Sequence, residues 1–210
     1  SGGLHGVGSS AVNALSTLLQ VVVKRNGKYH YQAHSRGIPK SPVAIISEKE
    51  VLALFPRQAE QFITHKTGTL LSFVPDPTIF STTTFSHKTL VNVVKDRAYL
   101  MAGIYFEFNN AIAQKTQHYY YEGGIRSLVE HINMSRKALH DVMHVNDVWQ
   151  DPETGKKIGV ELALQYNDSY NEILESYVNV IRTPDGGAHV NGFRMALGYV
   201  LRDYAKKNNL

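Results

Sequence analysis

Along this chain the spacing of apolar residues switches between a period near 3.6 and a period of 2, which predicts an α+β fold in two units. The opening Ser1-Gly2-Gly3-Leu4-His5-Gly6-Val7-Gly8 is expected to be irregular, because four glycines in eight residues are costly to order. Ser9 or Ser10 can then cap a helix with Ala11, Val12, Leu15, Leu18 and Leu19 on one face. Gln20 to Arg25 and Lys28 to His34 flank Asn26-Gly27, the pair favoured by type I′ turns, and so predict a hairpin. Gly37-Ile38-Pro39 and Ser41-Pro42 predict a loop. Leu70 to Val74 reads as a strand stopped by Pro75. From Thr84 or Ser86 a helix is expected, with Leu90, Val93, Val94, Arg97 and Met101 along one side and its end at Gly103. Ile104, Phe106 and Phe108 then alternate as a half-buried strand, and Asn109-Asn110 closes the first unit.

The second unit is expected to begin near Gln114. Gly123-Gly124 precedes a short helix carrying Ile125, Leu128, Val129 and Ile132, and residues 134–157 read as irregular. Val160, Leu162, Leu164 and Tyr166 alternate as a strand, and a further strand is expected from Ile173 to Ile181. Pro184-Asp185-Gly186-Gly187 turns the chain into a last helix whose buried stripe is Phe193, Leu197, Val200, Leu201 and Tyr204.

Composition narrows the classes. A hydrophobic content of 43% over 210 residues can bury a substantial core, and 19% charged residues fit neither disorder nor a fibrous repeat. There are no cysteines, which excludes a disulfide scaffold or a thiolate zinc site. No apolar run approaches the ~18 residues of a membrane span. The opening lacks an initiator Met, a basic segment and an apolar stretch, so no signal peptide is expected, and the chain can be a piece of something longer. Residues 1–113 hold 11 Lys/Arg against 6 Asp/Glu, and residues 114–210 hold 11 against 12. Neither half clusters its cations into the basic stripe of a nucleic-acid grip.

The glycine run entering a helix is the strongest chemical signal. Glycines let backbone N–H groups approach a phosphate closely, and a helix start adds partial positive charge. The spacing Gly3-x-x-Gly6-x-Gly8 matches neither the dinucleotide fingerprint nor the Walker A loop, so a plain turn and an anion site both remain open. His140 and His144 have the spacing of a zinc-protease helix, but Asp141 replaces the required Glu and the segment is not amphipathic; a solvated loop is expected. Tyr119-Tyr120-Tyr121 reads as core or interface packing before base stacking. Arg25 and Thr69 are ordinary strand residues on these grounds alone.

Taken in order, several segments resemble one family. Ser1-Gly2-Gly3-Leu4-His5-Gly6-Val7-Gly8-Ser9-Ser10-Ala11-Val12-Asn13-Ala14-Leu15-Ser16 is similar to the ATP lid and following helix of the bacterial type II DNA topoisomerase B subunits, those of gyrase and topoisomerase IV. Lys24-Arg25-Asn26-Gly27-Lys28, Gly37-Ile38-Pro39 and Thr67-Gly68-Thr69 resemble its hairpin, loop and the strand beneath the adenine. His118-Tyr119-Tyr120-Tyr121-Glu122-Gly123-Gly124-Ile125, Val160 to Asp168, Tyr177-Val178-Asn179 and Asp185-Gly186-Gly187-Ala188-His189-Val190-Asn191-Gly192-Phe193-Arg194 resemble its transducer, with Ala188 where the family more often has Thr.

The resemblance implies the C-terminal part of a GHKL-type ATPase α/β sandwich over residues 1–113, starting at the lid. A ribosomal-protein S5 domain 2-like transducer, incomplete at its C-terminal end, would follow over 114–210. It implies that Gly2, Gly3, Leu4, His5, Gly6, Val7 and Gly8 hold the triphosphate of ATP. Thr69 would reach the adenine edge through water, and Arg25 would line the pocket mouth where aminocoumarins dock. No catalytic or metal-ligating residue is expected within the chain: the general-base Glu, the Mg²⁺-binding Asn and the adenine-reading Asp belong upstream, and a Gln-Thr-Lys loop belongs downstream. The implied full-length protein is an ATP-hydrolysing topoisomerase of the bacterial cytoplasm, inactive as this chain alone. Its implied partners are a second copy of the same subunit, joined in an ATP-dependent dimer, the topoisomerase A subunit and duplex DNA. A non-catalytic nucleotide-binding or dimerisation module is the alternative.

Overall fold

A computed structural model describes residues 7–210. They fall into two compact units that divide between Thr84 and Phe85.

The first unit opens with α1 (Gly8–Ala14), followed by β1 (Ser16–Arg25) and β2 (Lys28–Ser35). Asn26 and Gly27 have φ of 51° and 70°, so the Asn-Gly turn forms as expected and sets the register Arg25↔Lys28 through Leu19↔His34. Arg36 and Gly37, with φ of 50° and 83°, make a second two-residue turn into β3 (Ile38–Pro39). The expected loop is therefore a short edge strand. Next come β4 (Ala44–Ile46), α2 (Glu48–Leu54), α3 (Ala59–Phe62) and β5 (Gly68–Pro75). The five-stranded sheet runs β3-β2-β1-β5, with β4 also paired to β2.

α1 is shorter than its apolar spacing predicts. It ends at Ala14, and Leu18 and Leu19 pair with Val74 and Phe73 in the sheet. The carbonyls that would continue the helix are already engaged: Leu15 C=O accepts from the Asp76 N–H (3.0 Å) and Ser16 C=O from the Arg36 N–H (2.7 Å). Its N-cap is Val7, without a side-chain bond, rather than Ser9 or Ser10.

α2 and α3 cover one face of the sheet. Val22, Tyr29, Val51, Phe55, Ala59 and Phe62 form the core there, with Leu70 and Tyr31 packed against it. α2 begins at a full capping box, in which the Ser47 hydroxyl accepts from Glu50 N–H and the Glu50 carboxylate accepts from Ser47 N–H (2.7 Å).

The second unit contains α4 (His87–Leu100), β6 (Phe106–Asn110), β7 (Lys115–Tyr119), α5 (Ile125–Asn133), β8 (Met143–Gln150), β9 (Lys157–Leu164), β10 (Tyr177–Val178), β11 (Ile181–Arg182) and α6 (Ala188–Lys207). Ser86 caps α4 through its hydroxyl. Positions 113 and 114 lie in the turn of the β6–β7 hairpin, which pairs Phe106 with Tyr119 through Asn110 with Lys115. Asn109-Asn110 is thus inside a strand. Gly124, with φ of 55°, starts α5; a Cβ there would stand 3.2 Å from the Ala102 Cβ. Tyr121 stacks on the buried Tyr99 ring at 3.8 Å, the packing role expected for the tyrosine run.

Three further expectations change in this unit. Residues 143–150, read as irregular, form β8, whose eight residues pair with β9. Its polar His144, Asn146 and Asp147 hide the strand because both its faces are exposed. The strand expected over Ile173 to Ile181 is reduced to β10 and β11, because Asn179 turns the chain at φ 56°. The stripe on α6 is half-open: Phe193 and Leu197 are half-buried, while Val200, Leu201 and Tyr204 are exposed. No residue of α6 is buried.

Candidate functional site

The register of the first sheet brings the expected pocket residues together. Val23 pairs with Thr69, so Arg25, two residues further along β1, points to the same face as Thr69. Both side chains are exposed. Val21 and Leu71 pair on that face, and Leu71 is 48% exposed. The opposite face, with Val22 and Leu70, is the one that α2 and α3 bury. One face therefore carries the core and the other is left for a ligand or a further layer.

Thr69 stands near the start of the edge strand β5, beside an open cleft of about 250 Å³ lined by Gln58, Gln61, Phe62, His65, Thr69 and Leu70. A Cβ on Gly68 would lie 3.0 Å from the Phe62 ring, close enough that the ring would have to shift. On the helix-covered side, Lys24 Nζ donates to the Ile63 carbonyl (2.6 Å) and lies 5.1 Å from the centre of the Tyr29 ring. The Tyr29 hydroxyl in turn donates to Glu48 (2.9 Å). Sequence does not single out Lys24, since its neighbours make it an ordinary strand cation.

Of the glycine run, Gly2, Gly3, Leu4, His5 and Gly6 lie outside the described residues. Val7 caps α1 and Gly8 is its first residue. Gly8 has no positive φ, and a Cβ added there meets nothing within 4 Å. The fold of these residues does not itself demand glycine at position 8.

The far end of α1 is held by Arg36 and Asp76. The Gly37 N–H donates to the Asn13 carbonyl (3.1 Å), and the buried Ser16 hydroxyl donates to the Val12 carbonyl (2.6 Å). The Asp76 carboxylate is fully buried; it accepts from Arg36 Nε at 2.5 Å and from both the N–H and hydroxyl of Thr78. These donors hold its pKa well below the usual carboxylate range, the Arg36 hydrogen bond contributing most. Asp76-Pro77-Thr78 is an Asx turn that its own spacing advertises, yet its partner Arg36 is 40 residues away.

His140 and His144 do not share a helix. His140 Nε2 accepts from the Tyr166 N–H (3.0 Å), and His144 on β8 faces Glu161 at 3.0 Å. Among the described residues no group of three or more His, Cys, Asp or Glu stands together. No helix among them is long and apolar enough to cross a membrane. On α6, Arg194 is engaged by Glu172 at 2.8 Å and Lys207 by Asp203 at 2.9 Å.

Residues 124–210 match the family model described as DNA gyrase B. The DNA gyrase B protein of Thermotoga maritima is 40% identical over the whole chain, which covers 31% of that protein. The 43K ATPase domain of Thermus thermophilus gyrase B, solved with an aminocoumarin, is 30% identical; the match covers 98% of this chain and 51% of that one, with a TM-score of 0.74. The topoisomerase IV ATP-binding domain of Francisella tularensis is 25% identical over 99% of this chain and 52% of its own, with a TM-score of 0.66. The chain thus spans about a third to half the length of these relatives.

These likenesses agree on one class: over its whole length the chain is similar to part of the B subunits of bacterial type II DNA topoisomerases. The stretch it resembles lies in the ATPase region of gyrase B and topoisomerase IV B, and its mixed α/β fold is the one those ATPase structures share.

Proposed function

We propose that this chain is the lid-bearing part of the ATPase domain, together with part of the transducer, of a type II topoisomerase B subunit that couples ATP binding and hydrolysis to DNA strand passage. The observation that carries the reading is the sheet register that puts Thr69 and Arg25 on one open face, in a chain homologous throughout to gyrase B. In this reading ATP lies against that face. Thr69 meets the adenine edge through water, Arg25 lines the pocket mouth, and the backbone N–H groups of residues 2–8 (Gly2, Gly3, Leu4, His5, Gly6, Val7 and Gly8) surround the triphosphate. An amide cradle stabilises charge that develops on phosphate oxygens without moving during reaction. In this reading the chain binds the nucleotide and relays its state, and the base that activates water is supplied by other residues of the full-length protein. Mg²⁺ would be held by residues other than those described.

The transducer assignment to 114–210 is supported by the family match from residue 124; the β6–β7 hairpin spans the junction. The partners are a second copy of the same subunit, joined when ATP binds, the topoisomerase A subunit and duplex DNA, in the bacterial cytoplasm. The test is the reaction itself. Full-length protein carrying this chain, combined with the topoisomerase A subunit, should change the linking number of closed circular DNA when ATP is added. Failure to do so, with ATP bound and both proteins assembled, favours the non-catalytic module.

A further inference from the structure

β5 is an edge strand, and Thr69 sits in its second position. On one side that end is held by β1, through Val23↔Thr69 and Lys24↔Gly68. Its other tether is the connection from α3, residues 63–67, and a cation has been placed against that connection. Lys24 Nζ donates to the Ile63 carbonyl at 2.6 Å, on the face opposite Thr69, and the same ammonium lies over the Tyr29 ring. Tyr29 is buried, its ring lies 6.2 Å from that of Phe62, and its hydroxyl reaches Glu48 on α2. Phe62 in turn closes on Gly68. Lys24, Tyr29 and Phe62 thus form a backing for the Gly68–Thr69 peptide that spans β1, β2 and α3.

We infer that Lys24 is a positioning residue for the base end of the nucleotide site: its ammonium pins the α3–β5 connection and thereby sets where Thr69 presents its hydroxyl. The inference rests on the nucleotide reading given above and adds to it a residue that touches no ligand. A bond from an ammonium to a carbonyl is charge-assisted and directional, and a displacement of the order of an ångström is enough to lose a positioned contact. Lys24→Met keeps the length of the side chain and its packing on Tyr29 but removes the tether, whereas Lys24→Arg keeps the cation.

The experiment measures binding of non-hydrolysable ATP and GTP analogues to full-length protein by calorimetry, alongside thermal unfolding. The variants are Lys24→Met, Lys24→Arg, Thr69→Ala and the Lys24→Met/Thr69→Ala pair, with Lys24→Gln replacing Lys24→Met should the latter not fold. Lys24→Met is expected to weaken the ATP analogue up to about tenfold and no more than Thr69→Ala does, because it acts by losing the Thr69 contact, and to narrow the preference for adenine over guanine by the same factor. Lys24→Arg restores most of both, and in the Thr69→Ala background Lys24→Met adds nothing. Equal weakening with and without the Thr69 hydroxyl, or no change in base preference, overturns the positioning role. If the unsubstituted protein binds neither analogue, the nucleotide reading fails, and this inference fails with it.

Discussion

Asp76 shows how one residue can decide a local structure. Its carboxylate is fully buried, paired with Arg36 and bonded to Thr78, and its own N–H ends the α1 segment at Leu15. Removing one partner of such a pair leaves a buried charge without compensation. Because the folded pKa lies below the unfolded one, the stability that Asp76 contributes is complete above the ordinary carboxylate range. It is lost as pH falls through that range toward the folded value. Asp76→Asn should lower the unfolding temperature at pH 7 and flatten its decline between pH 5 and pH 3. Scanning calorimetry across that range checks this; a variant whose acid limb parallels the parent shows that Asp76 does not drive it. Sequence spacing exposes the Asx turn but not the partner, since nothing local ties position 76 to position 36. Arg25 and Thr69 are legible only through the family resemblance, and the register then puts them on one face.

At the scale of elements, legibility follows the strength of local chemistry. The Asn26-Gly27 hairpin, the Ser86 cap and the glycine start of α5 are written in turn and cap residues, and each forms where those residues stand. α1 and β8 differ from their patterns for a tertiary reason. α1 stops where the chain is claimed by Asp76 and Arg36, and β8 is a strand because β9 pairs along its whole length. α2 carries a purely local signal, Ser47-x-x-Glu50, and its position matters because Val51 and Phe55 complete the core behind the sheet. Ser47→Ala removes the acceptor for Glu50 N–H and should destabilise the chain by about 1 kcal/mol, the usual cost of an N-cap loss. Urea unfolding gives the number. A change near zero means that α2 is held by its packing alone.

At the scale of the whole molecule, a sheet with one covered face follows α1 and the glycine-rich sequence before it, in a chain similar over its whole length to 31% of the Thermotoga maritima gyrase B protein. In the second unit Arg194 and Lys207 are matched to Glu172 and Asp203. The central claim is that the N-terminal glycines serve a phosphate rather than the fold. Gly8 separates the two demands, since its conformation is ordinary and a side chain there meets no neighbour. Gly8→Val in the full-length protein is the sharpest probe, read as particle mass by analytical ultracentrifugation with a non-hydrolysable ATP analogue. The account predicts that the parent dimerises on adding the analogue, while the variant stays monomeric with an unfolding temperature close to the parent's. A Gly8→Val protein that dimerises at the same analogue concentration as the parent would contradict it.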